Sequence, residues 1–480
     1  MSQPNFVVII ADQLRADAVG AFGSELASTP NIDALAARGA RFTNAFVQHT
    51  VCSPSRVSFL TGWYPHVHGF RSLTNLLRPE DPNLLKTLKQ SGYRVAHAGA
   101  RGDTWAPGAT EVSCHEYGWA EPPTVSMMSA MQELDHDDPM ARAFYVGERD
   151  GDNDFDEAAV RSAEAWLDRR PTDSPWMLYV PLIFPHCPFG VEEPWFSMHD
   201  RAAMPERRPH VQSGHEPAYM QHLRNTYGTD RLTDEQWREI AATYHGMVSR
   251  LDWHVGRLVA ALGDEPDTHV IFFSDHGEYL GDYDLIEKWP SGLHDCLARD
   301  PFVIAGPSVA PGVVVDQMVE MVDLVPTVHE LAGIEADYTH FGRSLVPLLD
   351  GSDAPHREFA FTEGGFLVAE EPLLERPAYP YDLKGRAQHD RPDAVGKAVA
   401  IRSKDWTYVW RLHEPPELYD RHADPEELHN LAGLADHAPT EHDLRDELLR
   451  WLVATGDVVP WNADPRFPTI DLPTTGSNGA

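Results

Sequence analysis

Residues 51–62 read VCSPSRVSFLTG, and their reading decides the fold. A polar, proline-broken start runs at once into apolar residues spaced for a short helix. Ser53 suits an N-cap, Pro54 a first helical residue and Gly62 a stop. Cys52 then stands at the positive end of that helix, with Arg56 one turn on. Such a place lowers a thiol pKa and equally favours a bound oxyanion. A thiol kept only for packing would have apolar neighbours.

Outward from this helix, short apolar runs alternate with amphipathic ones. FVVIIA (6–11), RVAHAG (94–99), WMLYVPLIF (176–184), HVIFFS (269–274) and PFVIAGP (301–307) read as strands buried on both faces. TPNIDALAARGA (29–40) carries a Thr29 cap, Pro30 at the first position and Gly39 at its end. Residues 233–263 are apolar every three to four positions over a long helix. The pattern predicts an α/β fold, a mixed, mostly parallel central sheet flanked by helices. Residues 103–155 and 187–230 are Pro-, Asp-, His- and Gly-rich insertions, expected to shape a substrate mouth and contact the alcohol part of a substrate. A further break spans 364–395. Beyond it, 398–412 alternates like an antiparallel sheet and 441–456 reads as a helix. The expected division is a catalytic domain at 1–365, a smaller C-terminal α+β subdomain at 366–465 and a disordered tail at 466–480.

Four of the strand candidates end in polar residues: Asp12-Gln13, Asp275-His276-Gly277-Glu278, Pro185-His186 and Arg101-Gly102-Asp103. In an open parallel sheet, ligands bind just beyond the carboxyl ends of the strands. Several such endings together suggest one site assembled from distant sequence.

The chain has 480 residues, with 39 Lys and Arg against 74 Asp and Glu, a formal charge of −35. That charge speaks against a nucleic-acid or anionic-membrane partner. It also means that an anionic substrate needs a local cation or a metal. Four cysteines without any C-x-x-C pair fit a reducing cytoplasm. No run reaches membrane length, and Phe6–Ala11 is too short for a signal segment.

Residues 52–62 match C-x-P-S-R-x-x-x-L-T-G. This motif resembles that of the cysteine-type sulfatases of the alkaline-phosphatase superfamily. NFVVIIADQLRAD (5–17), SDHGEYLGDYDLIEK (274–288), PHCPF (185–189), VDLVPTVHELAGI (322–334), GRSLVPLLDG (342–351) and ELYDRHADPEELHNLA (417–432) resemble further landmarks of the family, in order. The resemblance implies an alkaline-phosphatase-like fold and a sulfuric ester hydrolase. It implies that a maturation enzyme oxidises Cys52 to formylglycine. The hydrated aldehyde offers one hydroxyl to attack sulfur and a second to expel sulfate.

The implied metal set is Asp12, Gln13, Asp275 and His276 with the modified Cys52. This mostly oxygen set suits one divalent cation, Ca2+ or Mn2+. Arg56 and Lys288 would meet the anion. His186 is the better acid by intrinsic pKa. Asn75 is a candidate sulfate ligand, and His66 and His68 support the loop. The family's G-K-x-H element is absent: Ala100 and Gly102 stand at its lysine and histidine positions. Arg101 is the nearest replacement cation. A phosphonate monoester or phosphodiester hydrolase on the same fold stays open as the alternative, and behind it a non-catalytic anion- or metal-binding relative. A homo-oligomer is compatible with the sequence.

Overall fold

A computed structural model of the chain describes residues 3–99, 104–150, 153–459 and 466–467. Ala100, Arg101, Gly102 and Asp103, and nearly all of the tail, lie outside the described residues. In chain order the strands are β1 (Asn5–Asp12), β2 (Ala40–Phe46), β3 (Arg94–Ala98), β4 (Glu116–Gly118), β5 (Tyr145–Glu148), β6 (Trp176–Pro185), β7 (Phe189–Val191), β8 (Thr268–Ser274), β9 (Arg299–Ala305), β10 (Val313–Val315), β11 (Val319–Glu320), β12 (Ala360–Gly364), β13 (Ala398–Arg402), β14 (Trp406–Arg411) and β15 (Glu417–Asp420).

The main sheet runs β10-β2-β9-β8-β1-β6-β3-β4, with β11 also on β2. The pairs β1–β8, β1–β6, β3–β6 and β3–β4 are parallel. Strand β9, the apolar run near 301–307, is antiparallel to both β8 and β2. The sheet is therefore mixed but mostly parallel. Residues alternate between two cores along each central strand. Val7, Ile9, Leu178, Val180, Val270 and Phe272 face one side; Phe6, Val8, Met177, Tyr179, Ile271 and Phe273 face the other. Burial on both faces explains why these runs are continuously apolar.

The helices Phe155–Leu167 and Asp234–Leu262 cover the first face, and Leu84–Gln90 and Leu324–Ala332 cover the second. The long helix begins on a Thr233–Gln236 capping box and stops at Gly263. A smaller antiparallel sheet, β12-β13-β14-β15, packs under the helix Ala438–Ala454. There Trp451 stacks on Phe361 with ring centroids 4.5 Å apart. Among the described residues, no helix is long and apolar enough to cross a membrane.

One strand lies outside the apolar runs read above, and one local expectation changes. Strand β2 carries no clean alternation, and its pairing with β9 draws it into the sheet. The Cys52 helix spans Cys52–Thr61, with extended Val51 as its cap. Its register starts one residue before the expected cap, because Ser55 N–H already donates to Val51 C=O at 3.1 Å. Ser53 is therefore helical and buried, not the cap. Gly62 ends the helix at φ +73, where a side chain would also meet His340.

Candidate active site

The site lies at the carboxyl ends of β1, β6 and β8. Parallel pairing sets Ala11 opposite Ser274, so Asp12 and Asp275 emerge side by side. Gln13 turns away at φ +65, and its N–H donates to Asp275 Oδ1 at 3.1 Å. From the Cys52 helix, Arg56 Nη2 donates to Asp12 Oδ2 at 2.6 Å and Nε to Asp275 Oδ2 at 2.8 Å. Ser55 Oγ donates to Asp275 C=O at 2.6 Å. The first turns of this helix are thus pinned to both strand ends.

His276 is fully buried, and its Nδ1 bonds to Gly277 C=O at 2.8 Å. With Nδ1 as the donor, the Nε2 lone pair lies 3.7 Å from Asp12 Oδ1 and 3.7 Å from Asp275 Oδ1. Nε2 has no hydrogen-bond partner among the described residues. Ligating atoms of Asp12, Cys52, Asp275 and His276 all lie within 4.8 Å of one another. A buried imidazole nitrogen without a hydrogen bond, facing two carboxylates, fits a divalent cation.

Lys288 approaches from the loop after β8. Its Nζ donates to Gln13 Oε1 at 2.6 Å and meets His186 Nε2 at 2.8 Å. Gln13 Nε2 donates to Glu278, so both ends of the amide are engaged beside the four clustered ligand atoms. Burial works against the Lys288 charge, but the Cys52 sulfur and the Glu287 carboxylate outweigh it and hold its pKa well above the ordinary lysine value. Burial and then the Lys288 charge push His186 well below the usual histidine range. His186 is therefore a neutral acceptor here, and the resting proton sits on Lys288. Burial pushes Glu278 up to about 7, with Glu287 adding to the shift.

Cys52 opens onto two cavity lobes that share Cys52, His186 and Met128. One, about 310 Å³, is mostly apolar, with Phe155, Ile183 and Phe184 in its wall. The other, about 220 Å³, carries Arg71, Lys288, Lys384, Glu287 and Tyr381.

The candidates Cys52, Arg56, His186, Lys288, Asp12, Gln13, Asp275 and His276 thus converge. Asn75 does not: it is exposed, its Oδ1 accepts from Ser72 Oγ at 2.8 Å, and it lines neither lobe. Arg101 lies outside the described residues. His66 bonds Glu363 and the Thr455 carbonyl and so anchors its loop to the C-terminal part. Of the two insertions, 103–155 reaches the site through Ser126, Asp154 and Phe155, whereas 187–230 contributes only Cys187 and Pro188. The break at 364–395 supplies a wall instead, through Glu375, Tyr381, Lys384 and Gln388. No sequence signal marked those residues. Glu287 was next to Lys288 within a quoted motif.

A family model described as Sulfatase matches residues 4–334. The chain is 28% identical to the multifunctional alkaline phosphatase superfamily protein PehA of Trinickia caryophylli, over 95% of this chain and 96% of that protein. It is 27% identical to the choline-sulfatase of Rhizobium meliloti (strain 1021), over 90% and 82% respectively. The crystal structure of the phosphonate monoester hydrolase of Agrobacterium radiobacter superposes with a TM-score of 0.76 at 26% identity, covering 94% of this chain and 96% of that one.

Proposed function

This chain belongs to the sulfatase family of hydrolases, and we propose that it cleaves a sulfate monoester with formylglycine made from Cys52 as nucleophile. The observation that carries this reading is the convergence of Asp12, Cys52, Asp275 and His276 within 4.8 Å at a cavity floor. Asp12, Asp275, His276 and residue 52 would hold one divalent cation, Ca2+ or Mn2+, with Gln13 at the edge of the set. Such a cation neutralises ester charge and polarises the ester toward attack. Arg56 holds both carboxylates in place through its Nη2 bond to Asp12 and its Nε bond to Asp275. Lys288 and His186 hold a proton between them for the leaving oxygen. The reading requires a maturation enzyme as partner, since a plain thiol lacks the two hydroxyls of the hydrated aldehyde.

A second reading is hydrolysis of a phosphonate monoester or phosphodiester. The two lobes meeting at Cys52 favour it, because such a centre carries two organic arms and a sulfate monoester only one. Peptide mass spectrometry across Cys52, with paired rates on aryl sulfate and aryl phosphonate esters, tests both. An unmodified cysteine in active protein, or full turnover in Cys52→Ala, would end the formylglycine reading.

A further inference from the structure

Glu287 precedes the Lys288 ammonium and is almost wholly buried, at 1% exposure. Its backbone sits at φ +65, a left-handed conformation that residues with a side chain seldom adopt. Its Oε1 lies 2.8 Å from Lys288 Nζ, an ion pair outside hydrogen-bond geometry. Its Oε2 accepts from Lys384 Nζ at 2.6 Å. Lys384 comes from the helix Asp382–Asp390, nearly a hundred residues on, and lines the same lobe as Cys52 and Lys288.

A carboxylate against Lys288 would by itself cancel the cation that faces the substrate. With Lys384 on its far oxygen, the trio holds two cations and one anion. Charges in such a buried place act strongly on one another and on a bound anion. Resting on the functional reading above, we propose that Lys384 is a positioning residue that, through Glu287, keeps the Lys288 trio net positive toward the substrate anion. The chain's formal charge of −35 makes this local surplus matter for an anionic ester. The C-terminal part of the chain thereby sets the charge of a site built by the central sheet.

The test compares wild type, Lys384→Met, Lys384→Arg and Lys384→Met/Glu287→Gln as metal-loaded proteins. It reads kcat and KM on the ester that wild type hydrolyses, and inorganic sulfate affinity by calorimetry. Lys384→Met should raise KM and weaken sulfate binding about tenfold or more, with the smaller change in kcat, because the ester's charge is present in ground and transition states alike. Lys384→Arg should stay near wild type. The double variant restores the net charge and should recover most of the loss, an outcome that general destabilisation would not produce. Wild-type values in Lys384→Met, or a loss undiminished in the double variant, would overturn the proposal. So would wild type that binds no sulfate. Wild type inert on both ester classes would instead remove the functional reading, while sulfate affinities following the predicted order would still sustain the trio.

Discussion

Asp275→Asn is the sharpest perturbation, since it changes charge at constant shape. Asp275 Oδ2 accepts from Arg56 Nε at 2.8 Å, and Oδ1 accepts from Gln13 N–H at 3.1 Å. Both neighbours are donors. An asparagine amide must point its NH2 at one of them, so one buried donor meets another in either rotamer. Losing one charge-assisted bond and leaving one donor unsatisfied costs about 2–4 kcal/mol in all. If that cost falls on the cation site, metal affinity drops roughly thirtyfold to a thousandfold. The variant should still fold when metal is in excess, because Ser55 Oγ binds the Asp275 carbonyl, not its side chain. Metal content by elemental analysis, a calorimetric metal titration and turnover measured at matched metal occupancy would report the effect. Stoichiometric metal at wild-type affinity, with a wild-type rate, would refute the assignment of Asp275 as a ligand.

Two further outcomes follow from other parts of the molecule. Burial depresses His269, stacked on Phe6 at 5.6 Å between centroids, from 6.5 to about 4. Its unfolded form therefore takes up a proton first as pH falls, and stability that is complete above 6.5 is lost through the window from 6.5 to 4. His269→Leu should flatten the slope of stability against pH there by about one proton, and an unchanged slope in denaturation at stepped pH would contradict this. Arg101→Ala should slow turnover roughly tenfold to a few hundredfold, the kinetic equivalent of about 1.5–3 kcal/mol for one lost cation contact; a wild-type kcat/KM would refute Arg101 as the replacement cation, and wild-type rates in both Arg101→Ala and Asp103→Ala would show that the roles of the absent G-K-x-H element are vacant.

The apolar runs at β1, β6 and β8 and the polar pairs after them were legible in the sequence because burial on two faces and polarity at a strand end are local properties of the chain. The Cys52 helix and its Gly62 stop were legible for the same reason, since capping is decided within a few residues. Its start lies two residues before the expected one because Val51 offers no side-chain signal, and only the backbone bond from Ser55 sets the register. Asn75 was drawn to the site by its nearness in sequence to Cys52, yet the loop carries it to the surface.

By itself the sequence determined the central apolar strands and the main helices, the order of the polar strand endings along the chain and the C-x-P-S-R-x-x-x-L-T-G motif around Cys52. Only the tertiary structure decided that β9 runs against its neighbours, that His186 Nε2 meets Lys288 Nζ, and that Lys384 reaches Glu287 across nearly a hundred residues. Propensity and patterning act over a turn or a strand, whereas strand pairing, burial and Coulomb interaction depend on distances in space that no spacing along the chain encodes.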